Sequence, residues 1–162
     1  MATNGTKVKE KTITINALQL RKKFANIYGT FGSDPILEQK GVVMEYELQN
    51  GEIFELKIKR AGARNTVWRK LYNQLLRPVE DQNQAGEISE TENHYMMAEL
   101  YAKSCVIGWK GLKDADGNEV PFSIGTCLEL FCFMPELLTK VINDCHERSN
   151  FAHKEKEATA KN

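Results

Sequence analysis

Closely spaced aspartates are the first side chains in this sequence whose types and spacing could do chemistry. Asp114 and Asp116 resemble the first two ligands of a calcium-binding loop. Such a loop needs a glycine at its sixth position and a chelating glutamate at its twelfth. Here Gly117 stands at the fourth position and Gly125 at the twelfth. The loop cannot close around an ion, so the spacing predicts a plain turn.

The cysteines form neither a metal site nor a catalytic dyad by their spacing. Cys127 and Cys132 are five positions apart without a second pair, and Cys145 directly precedes His146. Neighbouring residues on a helix point about 100° apart, which suits neither a shared metal nor a dyad. Together with Cys105 they lie in apolar helical stretches, so we interpret all four as reduced core thiols of a cytosolic protein.

The remaining residues suggest no other reaction chemistry. His94 and His153 are far apart in the sequence, and no glycine-rich loop follows a strand to hold a phosphate. The sequence therefore predicts no catalytic residues, no metal and no cofactor, and we expect a protein that is not an enzyme.

Length and composition favour a single folded domain. The chain has 162 residues, of which 41% are apolar and 27% charged. A chain of this size can bury a core without disulfides or metals. Its 22 basic and 22 acidic residues cancel, which excludes a uniformly cationic surface for nucleic acid or membrane. We expect no membrane-spanning segment, and the polar first eleven residues do not fit a secretory signal.

Charge is nevertheless distributed unevenly along the chain. Residues 57–77 carry seven basic and no acidic side chains, whereas residues 80–99 carry six acidic side chains and no lysine or arginine. The two segments could be solvated faces within one molecule, or could join copies head to tail or bind a charged partner protein. Nucleic-acid binding is a third possibility, disfavoured because Trp68 and Tyr72 fall on the apolar stripe. The candidate partner-binding residues are Arg64, Arg69, Lys70, Glu87, Glu90 and Glu92.

Alternating side chains over residues 41–61 predict an antiparallel β-hairpin. A two-residue turn would oppose Tyr46 with Glu55 and put the two apolar sets on opposite faces. A three-residue loop, with Gly51 in the left-handed conformation, instead pairs Tyr46 with Phe54 on one face. We predict the second register.

Helical periodicity predicts four or five helices around this hairpin, so the expected fold class is α+β and mostly helical. Asn65, Ser89 and Ser123 are predicted to cap three of the helices, the second of which runs to about Ile107 before Gly108–Gly111 breaks it. The expected inward positions of the four main helices are Val67, Trp68, Leu71, Tyr72, Leu75 and Leu76; Met97, Leu100, Tyr101, Ser104 and Cys105; Ile124, Cys127, Leu128 and Phe131; and Met134, Leu137, Leu138, Val141, Ile142 and Cys145.

The remaining segments are predicted from shorter signals. Thr12–Ile15 fits a short strand, and Asn16 can cap a helix. The apolar spacing within that helix comes from Ala17, Leu20, Phe24 and Ile27. Gly29–Pro35 and Glu80–Ile88 are predicted loops. We expect residues 1–11 and 152–162 to be flexible tails around a single domain of residues 12–151.

Several motifs follow one another in order over the second half of the chain. A helix ends in a Gly-Trp step, a D-x-D-G turn and a V-P-F-S step follow, and a Met-Pro-Glu-Leu step opens the last helix. The motif residues are Gly108, Trp109, Asp116, Gly117, Pro121, Phe122, Pro135 and Phe151. With the earlier segment 60–65 (RAGARN) and Arg77-Pro78, this order resembles the tail assembly chaperones of long-tailed (siphovirus-like) bacteriophages over about residues 42–151.

The resemblance implies a non-enzymatic role in the host cell cytoplasm. Such chaperones bind the tape measure protein and keep it soluble while tail tube subunits polymerise around it. They are then released, so the resemblance implies absence from the mature virion. It also implies recruitment of the tail tube protein through a C-terminally extended form made by ribosomal frameshifting.

Partners and alternatives follow from the same reasoning. We expect homo-oligomers, no membrane partner and no nucleic acid. Two other classes stay open: a structural tail or neck component retained in the virion, and a small nucleic-acid-binding regulator.

Overall fold

The protein has an α+β fold in which helices pack against a three-stranded antiparallel sheet, as predicted for the fold class. The computed structural model describes residues 18–153. The elements are α1 (Ala25–Phe31), α2 (Pro35–Lys40), β1 (Val42–Glu47), β2 (Ile53–Ile58), α3 (Thr66–Leu75), α4 (Glu80–Gln84), α5 (Glu90–Ser104), β3 (Val106–Lys110), α6 (Ile124–Phe133) and α7 (Pro135–His146). The predicted strand Thr12–Ile15, the cap Asn16 and the tail 1–11 lie outside the described residues.

The β1–β2 hairpin confirms the predicted register. Tyr46 pairs with Phe54, and Met44 pairs with Leu56. Gly51 has a φ of +80°, which closes the three-residue loop in the left-handed region. Parity therefore decided the register correctly, because only this pairing places both apolar sets on the face that the helices cover.

A third strand corrects the predicted end of the second capped helix. The helix α5 stops at Ser104, and Val106–Lys110 pairs antiparallel with β2 instead of continuing to Ile107. Leu56 of β2 lies opposite Trp109. This third strand, β3, therefore pairs with the edge of β2 that does not face β1. The prediction was wrong because β-branched residues fit a sheet whose other strand is about fifty positions away in the chain.

The hydrophobic core lies between the inner face of the sheet and the helices α3, α5, α6 and α7. The predicted caps are present, since Asn65, Ser89 and Ser123 each accept a hydrogen bond from a first-turn backbone amide. The fully buried side chains at the centre include Leu56, Ile58, Leu100, Cys105, Cys127, Phe131, Val141, Cys145 and Phe151. Three expected core positions are wrong, because Val67, Ile124 and Met134 sit at helix ends and are exposed.

Two short helices replace predicted loops. The predicted loop Gly29–Pro35 is too long: α1 continues to Phe31 and α2 begins at Pro35, so only residues 32–34 form a loop. The Asp34 side chain caps α2 by accepting from the Ile36 amide at 2.8 Å, and proline at the first helical position needs no amide donor. The predicted loop Glu80–Ile88 contains α4, whose acidic first turn suits a helix N-terminus.

The motif residues of the second half hold the elements together. The Trp109 side chain is half-buried, donates from Nε1 to the Val120 carbonyl at 2.8 Å and meets the Phe122 ring edge-on at 4.9 Å. Asp114 accepts backbone amides from Asp116 and Asn118, each at 2.9 Å, which makes the predicted plain turn. Gly108 lies in β3, Gly117 has a φ of +82°, Pro121 is exposed, Pro135 opens α7, and Phe151 is fully buried.

The four cysteines carry free thiols, as predicted. Cys105, Cys127 and Cys145 are buried, and Cys132 is half-buried. Burial raises the pKa of Cys127 to about 12, so this thiol stays protonated and inert. A hydrogen bond with Cys105 and burial together raise the pKa of Cys145 as well.

Candidate partner-binding surface

A buried glutamate organises the segment 60–65, here called the arginine turn. The Glu38 side chain in α2 is only 4% exposed and accepts from Arg60 Nη1 at 2.6 Å. Arg64 Nη1 lies 3.3 Å from both carboxylate oxygens, and the Ser33 hydroxyl also bonds to Glu38. The arginine turn is therefore held to α2 by charge and hydrogen bonds.

Asn65, the last residue of the arginine turn, connects the turn to α3 and α5 through hydrogen bonds. Its carbonyl oxygen caps α3 by accepting from the Trp68 amide at 3.1 Å. Its amide nitrogen donates to the carbonyls of Arg60 at 3.0 Å and Ser104 at 2.9 Å. The Ser104 contact places the start of α3 beside the end of α5. The two packed helices therefore run antiparallel.

This antiparallel arrangement separates the two charged segments. Arg64 lies at the end of the helix pair where α3 begins, and Arg69 and Lys70 lie in the first half of α3, towards that end. Glu90 stands fourteen residues, or about 21 Å of helix, before Ser104, at the opposite end. Of the candidate residues, all six are exposed: Arg64, Arg69, Lys70, Glu87, Glu90 and Glu92. We call the two groups the basic pole and the acidic pole.

Ion pairs within the described residues do not connect the two poles. Arg64 pairs with Glu38, and the acidic Glu99 of α5 pairs with Lys103 at 2.6 Å on its own helix. Both poles therefore present charge to solvent at opposite ends of the same helix pair.

Two shallow cavities flank the arginine turn. One of about 260 Å³ is lined by Lys59, Arg60, Arg64 and the first residues of α3, among others. The other, of about 320 Å³, shares Glu38 and both arginines and reaches His146. Their charged walls suit a polar or acidic group of a partner better than an apolar side chain. Within residues 18–153, acidic, histidine and cysteine side chains form no group of three that could hold a metal ion.

Aromatic residues on α3 belong to the inner side of this surface. Trp68 stacks on Tyr72 at 5.0 Å and meets the His146 ring edge-on at 5.9 Å. Both aromatic side chains are half-buried and pack against the core, as the apolar stripe predicted. They are therefore poorly placed to stack on bases.

His146 is the pH-sensitive group of this surface. The Tyr101 hydroxyl lies 2.6 Å from His146 Nε2, so a neutral imidazole can accept its hydrogen bond. Burial, with the nearby positive charge of Arg60, lowers the pKa of His146. The folded chain thus favours the neutral ring.

We predict that wild-type stability falls as pH drops below about 6.5, where the unfolded chain takes up this proton more readily than the folded one. The stabilising contribution is complete above the unfolded pKa and is lost on acidification. Urea unfolding at about pH 7.5 and about pH 5.5 should therefore show a smaller pH dependence for His146→Gln than for the wild type. Identical pH dependence in both proteins would contradict the assignment.

Sequence reasoning missed Glu38, around which the arginine turn is built. The glycines and the Asp-Pro pair predicted a loop over residues 29–35, and no acidic residue near this loop was predicted to be functional. The available signal was the Asp34-Pro35 pair, which also marks a helix start. Nothing local shows that the glutamate four residues later meets two arginines from beyond the hairpin.

No helix among residues 18–153 is both long and apolar enough to cross a membrane.

More than half of the chain matches a known protein family. The family model described as YdaY prophage protein covers residues 63–162. No curated protein matches the chain, and no solved structure does. The matched part contains α3 to α7 and β3, and therefore all residues of both poles. It does not include α2, which supplies Glu38. The protein is of phage origin, and the chain belongs to the YdaY prophage protein family.

Proposed function

We propose that this phage protein is a tail assembly chaperone that binds the tape measure protein and keeps it soluble during tail assembly. The observation that carries the proposal is the apolar surface. Fifteen large apolar side chains of the described residues are exposed, with Phe133 at 80% and Phe31 at 75%. Four of them, Leu20, Phe24, Ile27 and Phe31, follow one another at helical spacing, and an exposed apolar patch of this kind is typical of a surface that binds other chains.

Other features support a holding role. Met96 and Met97 on α5 are half-buried at the edge of the core, and Met134 is exposed between α6 and α7. Flexible methionine side chains adapt to varied apolar partners. The prophage family and the ordered motifs of the second half support the tail-assembly assignment. Recruitment of the tail tube protein by an extended form, action in the host cytoplasm and absence from the virion belong to the same proposal.

The two poles support a mode of self-association. A basic pole and an acidic pole at opposite ends of one helix pair fit a contact in which the basic pole of one copy meets the acidic pole of the next. Such a head-to-tail contact is heterologous, so it builds rings or open arrays along an elongated client rather than a two-fold dimer.

Reversing the basic pole should therefore abolish this association. We expect Arg64→Glu, Arg69→Glu and Lys70→Glu together to reduce the oligomer to monomers in light scattering. Raising the salt concentration should do the same to the wild type, because charges are screened over about 10 Å at 0.1 M salt. The pair Arg69→Glu and Lys70→Glu, which leaves the arginine turn intact, should act in the same direction.

The matched control is Lys40→Glu with Lys110→Glu, two exposed lysines outside both poles. It changes net charge by four units, as far as the pair in the basic pole does, and should leave the oligomer unchanged. An equal loss in both variants would show that total charge rather than the poles governs association, and an unchanged triple variant would refute the contact.

A virion analysis tests the function against its nearest alternative. The chaperone proposal predicts that deleting the gene from an inducible prophage abolishes tails. It also predicts that mass spectrometry finds no copies of the protein in purified wild-type virions. Stoichiometric copies in the virion would identify a structural tail or neck component instead.

A further inference from the structure

Residues 18–31 form a helical arm whose apolar seam is left exposed by the rest of the described residues. The seam consists of Leu20, Phe24, Ile27 and Phe31, spaced by four, three and four residues. Their exposed fractions run from 44% to 75%, and none belongs to the core. The two helical stretches of the arm join at Phe24, whose amide donates to the Leu20 carbonyl at 3.0 Å and whose carbonyl accepts from the Tyr28 amide at 3.1 Å.

The seam has the spacing of a coiled-coil face. Apolar residues that alternate three and four positions apart make a narrow stripe, which suits one facing helix. A helix that lies on a membrane usually has a wider apolar face. The spacing therefore favours a helical partner.

Charge beside the seam restricts which helix can bind. Residues 18–31 contain Arg21, Lys22 and Lys23 and no acidic residue. The Arg21 guanidinium lies over the Tyr28 ring at 5.8 Å, and the Lys23 ammonium lies over the Phe24 ring at 5.6 Å. Two copies of the arm would bring like charges together, whereas a partner with acidic residues flanking its own apolar stripe would neutralise them.

The arm is fixed to the domain at one end. The Arg148 guanidinium donates to the Gly29 carbonyl at 3.0 Å and also to the Gly32 carbonyl. Just beyond, the Asp34 amide donates to the Phe151 carbonyl at 2.8 Å. The arm is thus held at its C-terminal end, while residues 32–153 leave its seam exposed.

We propose that the seam of the helical arm binds an acidic amphipathic helix of a partner protein. The inference deepens the proposed function, on which it rests for the identity of the partner: the client segment is a helix with apolar residues at heptad spacing and glutamate or aspartate beside them. The arm lies outside the part of the chain that the family model matches. Client selection by the arm therefore adds to whatever the matched domain does.

The test uses the full chain and two synthetic peptides of about three heptads, with leucine at the core positions. One peptide has glutamate at the flanking positions and the other has lysine. Fluorescence anisotropy should show binding of the glutamate peptide to the wild type and at least about tenfold weaker binding of the lysine peptide. Phe24→Ser with Ile27→Ser should also weaken the glutamate peptide by about tenfold or more.

The matched control is Val43→Ser with Ile124→Ser, which removes two apolar side chains of similar exposure from β1 and α6 and should leave binding unchanged. Equal binding of the two peptides, or no loss in the seam variant, overturns the proposal. So does a fall in oligomer mass on mutating the seam, which would identify the seam as a contact between copies. Seam-dependent sedimentation with phosphatidylserine vesicles, without peptide binding, would assign it to membranes instead.

The same variants separate this proposal from the proposed function. Binding of the glutamate peptide without binding of the tape measure protein would support the seam as a helix-binding site. It would refute the tape measure protein as the client. Equal binding of the tape measure protein to the wild type and the seam variant would refute the seam and leave the chaperone function in place.

Discussion

Replacing Phe54 by alanine should lower the free energy of unfolding by about 3 kcal/mol or more. The Phe54 side chain is 5% exposed on the inner face of β2. Its ring lies between Tyr46, with centroids 6.1 Å apart, and Trp109, with centroids 6.4 Å apart. Alanine would leave a cavity at the point where all three strands meet the core. Urea unfolding followed by circular dichroism measures the loss.

Glu55→Ala is the matched control on the same strand. Glu55 points to the opposite face, where it lies between Glu45 of β1 and Lys110 of β3. The unfavourable pair with Glu45 offsets the favourable pair with Lys110, so removing Glu55 should cost less than about 1 kcal/mol. Equal losses for the two alanine variants would show that the register is wrong.

Glu38→Ala should have an effect of similar size for an electrostatic reason. We expect a loss of about 3 kcal/mol, because removing a buried carboxylate leaves Arg60 without its counter-charge. The Arg60 side chain is itself only 27% exposed, so water replaces that partner incompletely. Chemical unfolding of the two proteins under the same buffer conditions gives the difference.

Glu99→Ala is the control for Glu38→Ala. It removes the acidic partner of an ion pair that has the same length but includes an exposed lysine. Lys103 Nζ lies 2.6 Å from Glu99 Oε1 one turn apart on α5, where the lysine is exposed. Such a pair contributes less than about 0.5 kcal/mol. A Glu38→Ala loss no greater than this would mean that the arginine turn does not depend on Glu38.

Local patterns predicted most of the fold. The hairpin register follows from side-chain parity, and the caps at Asn65, Ser89 and Ser123 follow from what their side chains can accept. The strand β3 did not follow, because its pairing with β2 is a contact between distant parts of the chain. The apolar residues of β3 directly follow α5, and the local sequence does not show that the helix ends before them.

The sequence predicted which charged residues belong to the candidate surface, but not where they lie relative to one another. Its uneven charge is visible in the sequence, whereas the placement of the poles depends on the Asn65 to Ser104 contact. Glu38 was missed for the same reason, since its arginine partners come from beyond the hairpin. The exposure of the seam was also hidden, because Leu20 and Phe24 at helical spacing are equally typical of a core helix.

Co-expression with the tape measure protein encoded by the same prophage tests the central claim most directly. The soluble fraction of the tape measure protein, and its recovery on affinity-tagged chain, are measured together. The proposed function predicts that wild-type chain raises the soluble fraction and co-purifies with the tape measure protein. A tape measure protein that stays insoluble and fails to co-purify, while the chain itself is folded, would contradict the assignment as a tail assembly chaperone.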